Sequence, residues 1–293
     1  MKIGLLKKSQ SYVPEAIAYK KYLENFNHKV DIFSNSNLIK EYDKVILFMG
    51  FYPRNLSPHT ELIHEYNSLS LQPFSLIKNK IKVFLNHTPR KRIFLNSFVK
   101  YFFNFRDNIK YIFRDMGVDQ EFFNLNNLKN QNHIYDIVYT GSVENREGIV
   151  SCLINLSNLG FKTAIIGRIS DNLFSNLQNY KNIYFLGELN INEICNVYKV
   201  TTCGLNYTPN IFPFNYQTST KTLEYSAAGL KIISNRYFWI ESFEKSRAAR
   251  FLYLDKLKSK DQIYNFKFED AKIKDKEWNL ILNKINFKQF IES

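Results

Sequence analysis

Three hydroxyl residues in a row, Thr218, Ser219 and Thr220, are followed at once by Lys221 and, about one helical turn on, by Glu224. Small hydroxyl side chains accept the first free N–H groups of a helix, so this run marks a helix start. Leu223, Ala227 and Ala228 fall on the packing side of that helix, and Gly229 follows as a residue suited to a left-handed stop. Residues 230–234 then read as a short buried strand. Free N–H groups, the helix dipole and an ammonium in one place make an anion site, with phosphate well matched to it. The loop from Gly141 to Gly148 carries similar chemistry, because glycine admits close backbone approach and the Arg146 guanidinium can grip phosphate oxygens. Arg168 is a further cation at a strand end, while a strand-end arginine is more often simply solvated.

Parallel strands have to position these groups. Continuous apolar runs at 2–6, 29–33, 44–49, 81–85 and 110–113 are separated by helix-length segments, as strands covered on both faces require. A second strand and helix series runs through 136–140, 149–159, 162–166, 182–185, 191–197 and 201–206. Ligands of open α/β sheets collect outside the carboxyl ends of the strands, which brings forward His87, just past the 81–85 run. No G-x-G-x-x-G follows the first strand, so the dinucleotide fingerprint is absent. A final helix over 274–290 places Trp278, Ile281, Leu282 and Ile285 on one stripe.

The chain has 293 residues, enough for one large domain or two ordinary ones, and 45% of them are apolar. Its formal charge of +13 favours polyanionic partners, whether nucleic acid, lipid headgroups or phosphate-bearing substrates. Cys152, Cys195 and Cys203 show no metal-ligand spacing and are an odd number, so a reduced cytoplasmic setting is expected. The first ten residues lack the apolar region of a signal peptide, and no apolar run reaches the length of a membrane span. Between Arg90 and Arg106 basic residues interleave with aromatics. That pattern suits an anionic membrane surface or nucleic acid, and equally a core helix with a solvated basic edge.

The pattern S-T-K-x-x-E-Y-x-A-x-G-L-x-I-I-S, from Ser219 to Ser234, resembles the donor-site helix of GT-B glycosyltransferases. The bacterial enzymes that build surface polysaccharides from nucleotide sugars are the members it resembles most. G-S-x-x-x-R-E-G, from Gly141 to Gly148, is similar to the loop of that family that faces the donor diphosphate, and R-D-M-G-V-D, from Arg114 to Asp119, to the segment leaving its first half. The resemblance implies an α/β fold of two Rossmann-like domains facing each other across a cleft, with a C-terminal helix returning to the first. The corresponding spans are 1–133 for the acceptor side, 134–272 for the nucleotide sugar and 273–293 for the crossing helix.

By the same resemblance Ser219, Thr220 and Lys221 meet the diphosphate, Glu224 the ribose, and Ser142 and Arg146 the donor; Thr218, beside the cap, and Arg168, at its strand end, are further donor-binding candidates. His87 looks like the family histidine that contacts the transferred sugar. Two positions depart from the family: Tyr216 stands where many retaining members carry a second glutamate, and Glu147 where a lysine is common. The implied activity is sugar transfer from a nucleoside-diphosphate donor, with UDP or GDP expected and neither metal nor cofactor. A bacterial polysaccharide or lipid-linked oligosaccharide is the implied acceptor, and domain closure would exclude water. An inverting reaction needs a general base, for which Glu15, His87 and Asp43 are candidates. Nucleic acid is not expected as a partner on this reading, and any membrane contact would be peripheral, on the inner face, through Arg90 to Arg106. A nucleotide-sugar 2-epimerase of the same fold and a basic nucleic-acid-binding protein are the alternatives.

Overall fold

The computed structural model describes every residue except 9–12, 51, 53–59, 128–132 and 145. The sequence also reads as a polar loop over 7–11 and an Asn-rich interdomain linker over 116–132; residues 9–11 of the first, 128–132 of the second and position 145 of the 141–148 loop lie outside the described residues. The chain forms two compact units, residues 1–117 with 278–293, and residues 118–277.

The first unit is built on a parallel sheet of β1 (Lys2–Leu6), β2 (Lys29–Phe33), β3 (Lys44–Phe48), β4 (Glu61–Tyr66), β5 (Lys91–Phe94) and β6 (Tyr111–Phe113). Their order is β2-β1-β3-β4-β5-β6. The second unit holds β7 (Tyr135–Thr140), β8 (Thr163–Ile166), β9 (Ile183–Gly187), β10 (Thr201–Asn206), β11 (Lys231–Ser234) and β12 (Leu252–Tyr253). These too are parallel, in the order β12-β11-β10-β7-β8-β9. Two Rossmann-like domains are therefore present, each wound outward in both directions from its first strand. The closing helices Trp278–Lys284 and Phe287–Glu292 belong to the first unit. There the Tyr19 ring packs on Phe287 at 4.4 Å and on Trp278 at 6.2 Å. The single helix expected over 274–290 is broken at Asn286, whose φ of 51° leaves the helical region.

One strand of the first sheet departs from the sequence reading. Residues 81–85 are not a strand but the last turns of a helix, Ser75–Leu85. The strand next to β3 is β4 instead, whose E-L-I-H-E-Y run carries three titratable side chains and so lacks an unbroken apolar signal. Those side chains are inward-facing or paired. Glu61 meets Lys44 at 3.2 Å and Lys91 at 3.1 Å.

The basic stretch 90–106 is also not the core helix that is one reading of it. It divides into β5 and the short helix Ser97–Phe103. Lys91 is spent on Glu61, and Arg92 grips Asp107 through two bonds of 2.5 and 2.8 Å with its guanidinium stacked 3.7 Å from the Phe105 ring centre. These two cations hold the first unit together and are not available to a membrane surface. The charge surplus nonetheless lies in this unit, with 21 Lys and Arg against 10 Asp and Glu, net +11. The second unit has 19 against 17, net +2.

Beneath the sheet Arg114 is wholly buried and faces two carboxyl groups, Glu65 at 2.8 Å and Glu15 at 3.7 Å. It also donates to Asn67 Oδ1 at 2.8 Å and to the Asp115 carbonyl at 2.7 Å, while Tyr19 Oη donates to Glu65 at 3.1 Å. One guanidinium cannot neutralise both carboxylates away from water. Burial, opposed by Arg114 and reinforced by Glu15, pushes the Glu65 carboxyl up from 4.5 to about 8. The unfolded chain titrates at the lower value, so the folded state keeps an extra proton across this window and its stability falls as pH rises through it. Urea-unfolding midpoints of wild type relative to Glu65→Gln should therefore decline from about pH 4.5 to 8, the stabilisation being complete below that range. A constant or rising difference would show that Glu65 is ionised throughout.

Candidate functional site

In the second unit the winding direction reverses between β7 and β10, and the crevice outside their carboxyl ends is where ligands of such sheets bind. The helix Thr220–Ala227 begins there. Its N-cap is Ser219, whose hydroxyl accepts the Thr222 N–H at 3.3 Å and donates to Asn206 Oδ1 at 2.8 Å. Asn206 closes β10, is fully buried, and donates through Nδ2 to Ser234 Oγ and Tyr237 Oη, both at 2.9 Å. The helix start is thereby fastened to the ends of two strands. Gly204 explains how the helix comes so close, since a Cβ there would lie 2.3 Å from the Tyr225 ring. That ring lies over β10 and its hydroxyl accepts the Thr140 N–H of β7 at 2.8 Å. At the other end Gly229, with φ of 67°, lets the Leu230 N–H reach back to the Tyr225 carbonyl and stops the helix.

Lys221 extends from the first turn of this helix to the end of β7. Its Nζ donates to Tyr139 Oη at 3.4 Å and stands 4.5 Å from the centre of that ring. A Cβ on Gly141 would come within 3.9 Å of the same ammonium, so the Gly141 loop and the lysine tip are neighbours. Burial, and after it the Arg146 guanidinium, pushes the Lys221 pKa well below its ordinary value, with Glu224 opposing. Neither Lys221 nor Arg146 makes an ion pair among the described residues. Glu224 is buried, and its carboxyl is pushed up to about 8 by that burial, with Asp119 adding to the rise and Lys221 working against it. The site therefore presents one permanent cation, Arg146, a lysine whose charge burial and Arg146 disfavour, the free N–H groups of a helix start and a carboxyl largely protonated at neutral pH. Such a set can bind a polyanion and hydrogen-bond a hydroxyl-bearing group beside it.

The remaining expected residues are distributed unevenly. Thr218 and Thr220 are half-buried and flank the cap. The Ser219 hydroxyl proton is already given to Asn206, so what this residue leaves to a ligand is the placement of the turn. Ser142 is exposed, its Oγ accepting the Glu144 N–H at 3.1 Å and its carbonyl accepting from Tyr139 Oη at 2.9 Å. Arg168 is exposed and turned to Glu188 at 3.0 Å. Tyr216 rests its ring on Phe238 at 4.5 Å.

In the first unit His87 follows a helix, not a strand. It still reaches the carboxyl end of β3, because its N–H donates to the Tyr52 carbonyl at 3.0 Å. Its ring lies 6.4 Å from that of His64, and burial pushes its pKa below the ordinary value. Asp43 accepts the Lys2 N–H at 2.7 Å at the amino ends of β1 and β3, the wrong end of the sheet for a base. Glu15 is held by Arg114 and Asn67 in the buried cluster.

Asn206, Gly204 and Asp119 were not singled out from the sequence. A polar residue closing an otherwise apolar strand and a glycine inside it were the available signals for the first two. Nothing in the local pattern marks Asp119, which lies about a hundred positions from the helix it influences.

No protein-family model matches the sequence, and no curated protein matches it either. Solved structures do. AviGT4, a glycosyltransferase involved in avilamycin A biosynthesis, aligns with a TM-score of 0.61 at 11% identity over 100% of this chain and 96% of its own. HepE of Anabaena, solved with UDP and glucose, aligns at 0.60 and 12% identity over 98% of this chain and 89% of its own. The β-glucosyltransferase of T4 phage aligns at 0.55 and 17% identity over 100% of both chains. The chain has the GT-B fold.

The fastening of the helix start has a measurable consequence. Ser219→Ala removes an N-cap and leaves Asn206 Oδ1 without its donor, and should lower stability by about 1–2 kcal/mol in denaturant unfolding. Gly204→Ala forces the Tyr225 ring off β10 and should cost about 1–3 kcal/mol. Unchanged midpoints for both would mean that the helix does not depend on this seat.

Proposed function

We propose that the protein transfers a sugar from a nucleoside-diphosphate donor to a bacterial polysaccharide or lipid-linked oligosaccharide acceptor. The donor diphosphate would lie at the start of the helix Thr220–Ala227. The observation that carries this reading is the placing of Lys221 at the switch point of a GT-B domain, its tip against Tyr139 and the Gly141 loop, where burial and the Arg146 guanidinium disfavour its charge. An isolated arrangement of this kind is unfavourable, and an incoming diphosphate relieves it. During transfer the bond between the anomeric carbon and the diphosphate oxygen breaks, and charge builds on the departing group. Lys221, Arg146 and the helix N–H groups are oriented in advance to take that charge. Glu224, largely protonated, is suited to hydrogen-bond the ribose hydroxyls. Thr218, Thr220 and Ser142 would add polar contacts to the donor, while Arg168 would join only by leaving Glu188.

His87 is the proposed base. Its depressed pKa keeps the imidazole neutral at physiological pH, and its Nδ1 has no hydrogen-bond partner among the described residues. It would accept the proton of the acceptor hydroxyl as that oxygen forms the new bond. UDP is the first donor base to test, since HepE was solved with UDP and glucose.

The net charge of +11 on the first unit favours a second reading of the acceptor alone, as a nucleic acid. A further structural neighbour is a β-glucosyltransferase described as a DNA modifying enzyme. A 2-epimerase would use the same donor site and would isomerise the sugar with no acceptor present.

Calorimetry against UDP and GDP tests the donor site. One nucleotide should bind; Lys221→Ala should weaken it by about 10- to 100-fold, the worth of a hydrogen bond to a charged group, and Glu224→Ala by about 2- to 10-fold, the worth of a neutral one. Because the diphosphate restores the Lys221 proton, binding should take up protons and weaken as pH rises, seen by repeating the titration in buffers of different ionisation enthalpy. No binding of either nucleotide would remove both transferase and epimerase. Incubating labelled donor alone, with oligosaccharide or with DNA then separates the three acceptor readings.

A further inference from the structure

The helix Ser75–Leu85 of the first unit is inverted with respect to an ordinary surface helix. Its inward side is polar. Ser75 and Asn79 are buried, as is Asn86 just beyond its end. Asn79 Oδ1 accepts the Ser70 N–H at 3.0 Å and Asn86 Oδ1 accepts the Tyr52 N–H at 2.9 Å, so hydrogen bonds to neighbouring backbone hold the helix in place. Its outward side is aliphatic. Ile77, Ile81 and Leu85 recur every four residues and are 56%, 48% and 41% exposed, with Leu76 alongside at 47%. Soluble helices turn such a stripe to the core, and a contiguous exposed one marks a docking surface.

The charges around the stripe say what covers it. On a helical projection Lys80 flanks the aliphatic row on one side and Lys78 on the other, with Lys82 next to Lys78. Crowding among these cations is real. Burial, then Lys8 and Lys78, all push the Lys82 pKa down, and no carboxylate is among the causes. An apolar row bordered by lysines on both sides is the pattern of a helix lying in the plane of an anionic bilayer surface. A second copy of this chain fits poorly, because a two-fold contact through this patch brings lysine rows together. Nucleic acid would engage the lysines but leave the isoleucines without a partner.

We propose that this helix docks the protein on a membrane surface rich in anionic phospholipid, with Ile77, Ile81 and Leu85 entering the headgroup layer and Lys78, Lys80 and Lys82 meeting the phosphates. The inference is independent of the sugar-transfer reading and places the contact on a segment other than 90–106.

Co-sedimentation of the full chain with phosphatidylcholine vesicles, with and without phosphatidylglycerol, tests it. Binding should require the anionic lipid and weaken with added salt. The Ile77→Ser/Ile81→Ser and Lys78→Glu/Lys80→Glu variants should each bind at least about tenfold more weakly. All four positions are exposed, so thermal unfolding and nucleotide titration of the variants should match wild type and exclude misfolding. Failure of wild type to bind anionic vesicles, or full binding by the Ile77→Ser/Ile81→Ser variant, overturns the proposal. A dimer in sedimentation that this variant dissolves would assign the stripe to a second copy, and overturns it as well.

Discussion

The hydrogen bond from Ser219 to Asn206 is the constraint on which the candidate site depends. It joins the first turn of a helix to the last residue of a central strand, so helix dipole and sheet crevice share one origin. Two further conditions make the bond possible. Gly204 removes the side chain that would separate helix from strand, and Tyr225 fills the space and reaches on to β7. Lys221 projects from the turn so fixed, which is why its ammonium ends beside Tyr139 and the Gly141 loop rather than in solvent. Cap, glycine and lysine are separate in sequence but make one mechanical unit.

The two units treat buried charge in opposite ways. In the first, Arg114 is enclosed by Glu15, Glu65, Asn67 and Asp115, and Lys44 and Lys91 converge on Glu61. Nearly every inward cation has a partner, and the cluster serves to fix strands and the returning C-terminal helices. In the second, Lys221 and Arg146 are placed together without a carboxylate in ion-pair contact among the described residues. The cost of that arrangement is tolerable because the rest of the helix is well seated. Two basic groups brought together without a carboxylate in ion-pair contact among the described residues suit an anionic ligand.

The sequence was misread where local pattern and burial disagree. The 81–85 run, Ile-Lys-Val-Phe-Leu, is short and apolar, and five such residues fit a buried strand or a helix end equally. Here the helix turns its aliphatic side outward, so the usual rule linking apolar to inside pointed to the wrong element. Conversely β4 shows no apolar run because Glu61, His64 and Glu65 interrupt it; Glu61 and Glu65 are paired with cations distant in sequence, and burial keeps His64 neutral. Both errors fall in the first unit and shift His87 from the end of a strand to the end of a helix.

What the sequence determined by itself is the second unit's central architecture. Period, caps and glycines placed β7, β10, the helix Thr220–Ala227 and its Gly229 stop, because each depends on residues within a few positions of one another. The alternation of strands and helices likewise determined the doubly wound class. Only the tertiary structure decided the electrostatics: that Arg146 stands near Lys221, that Asp119 and burial keep Glu224 protonated, that Arg92 is spent on Asp107 and that Asp43 lies at the far end of its sheet. Those outcomes rest on distances between residues tens of positions apart and on the exclusion of water around them, and no local pattern encodes either.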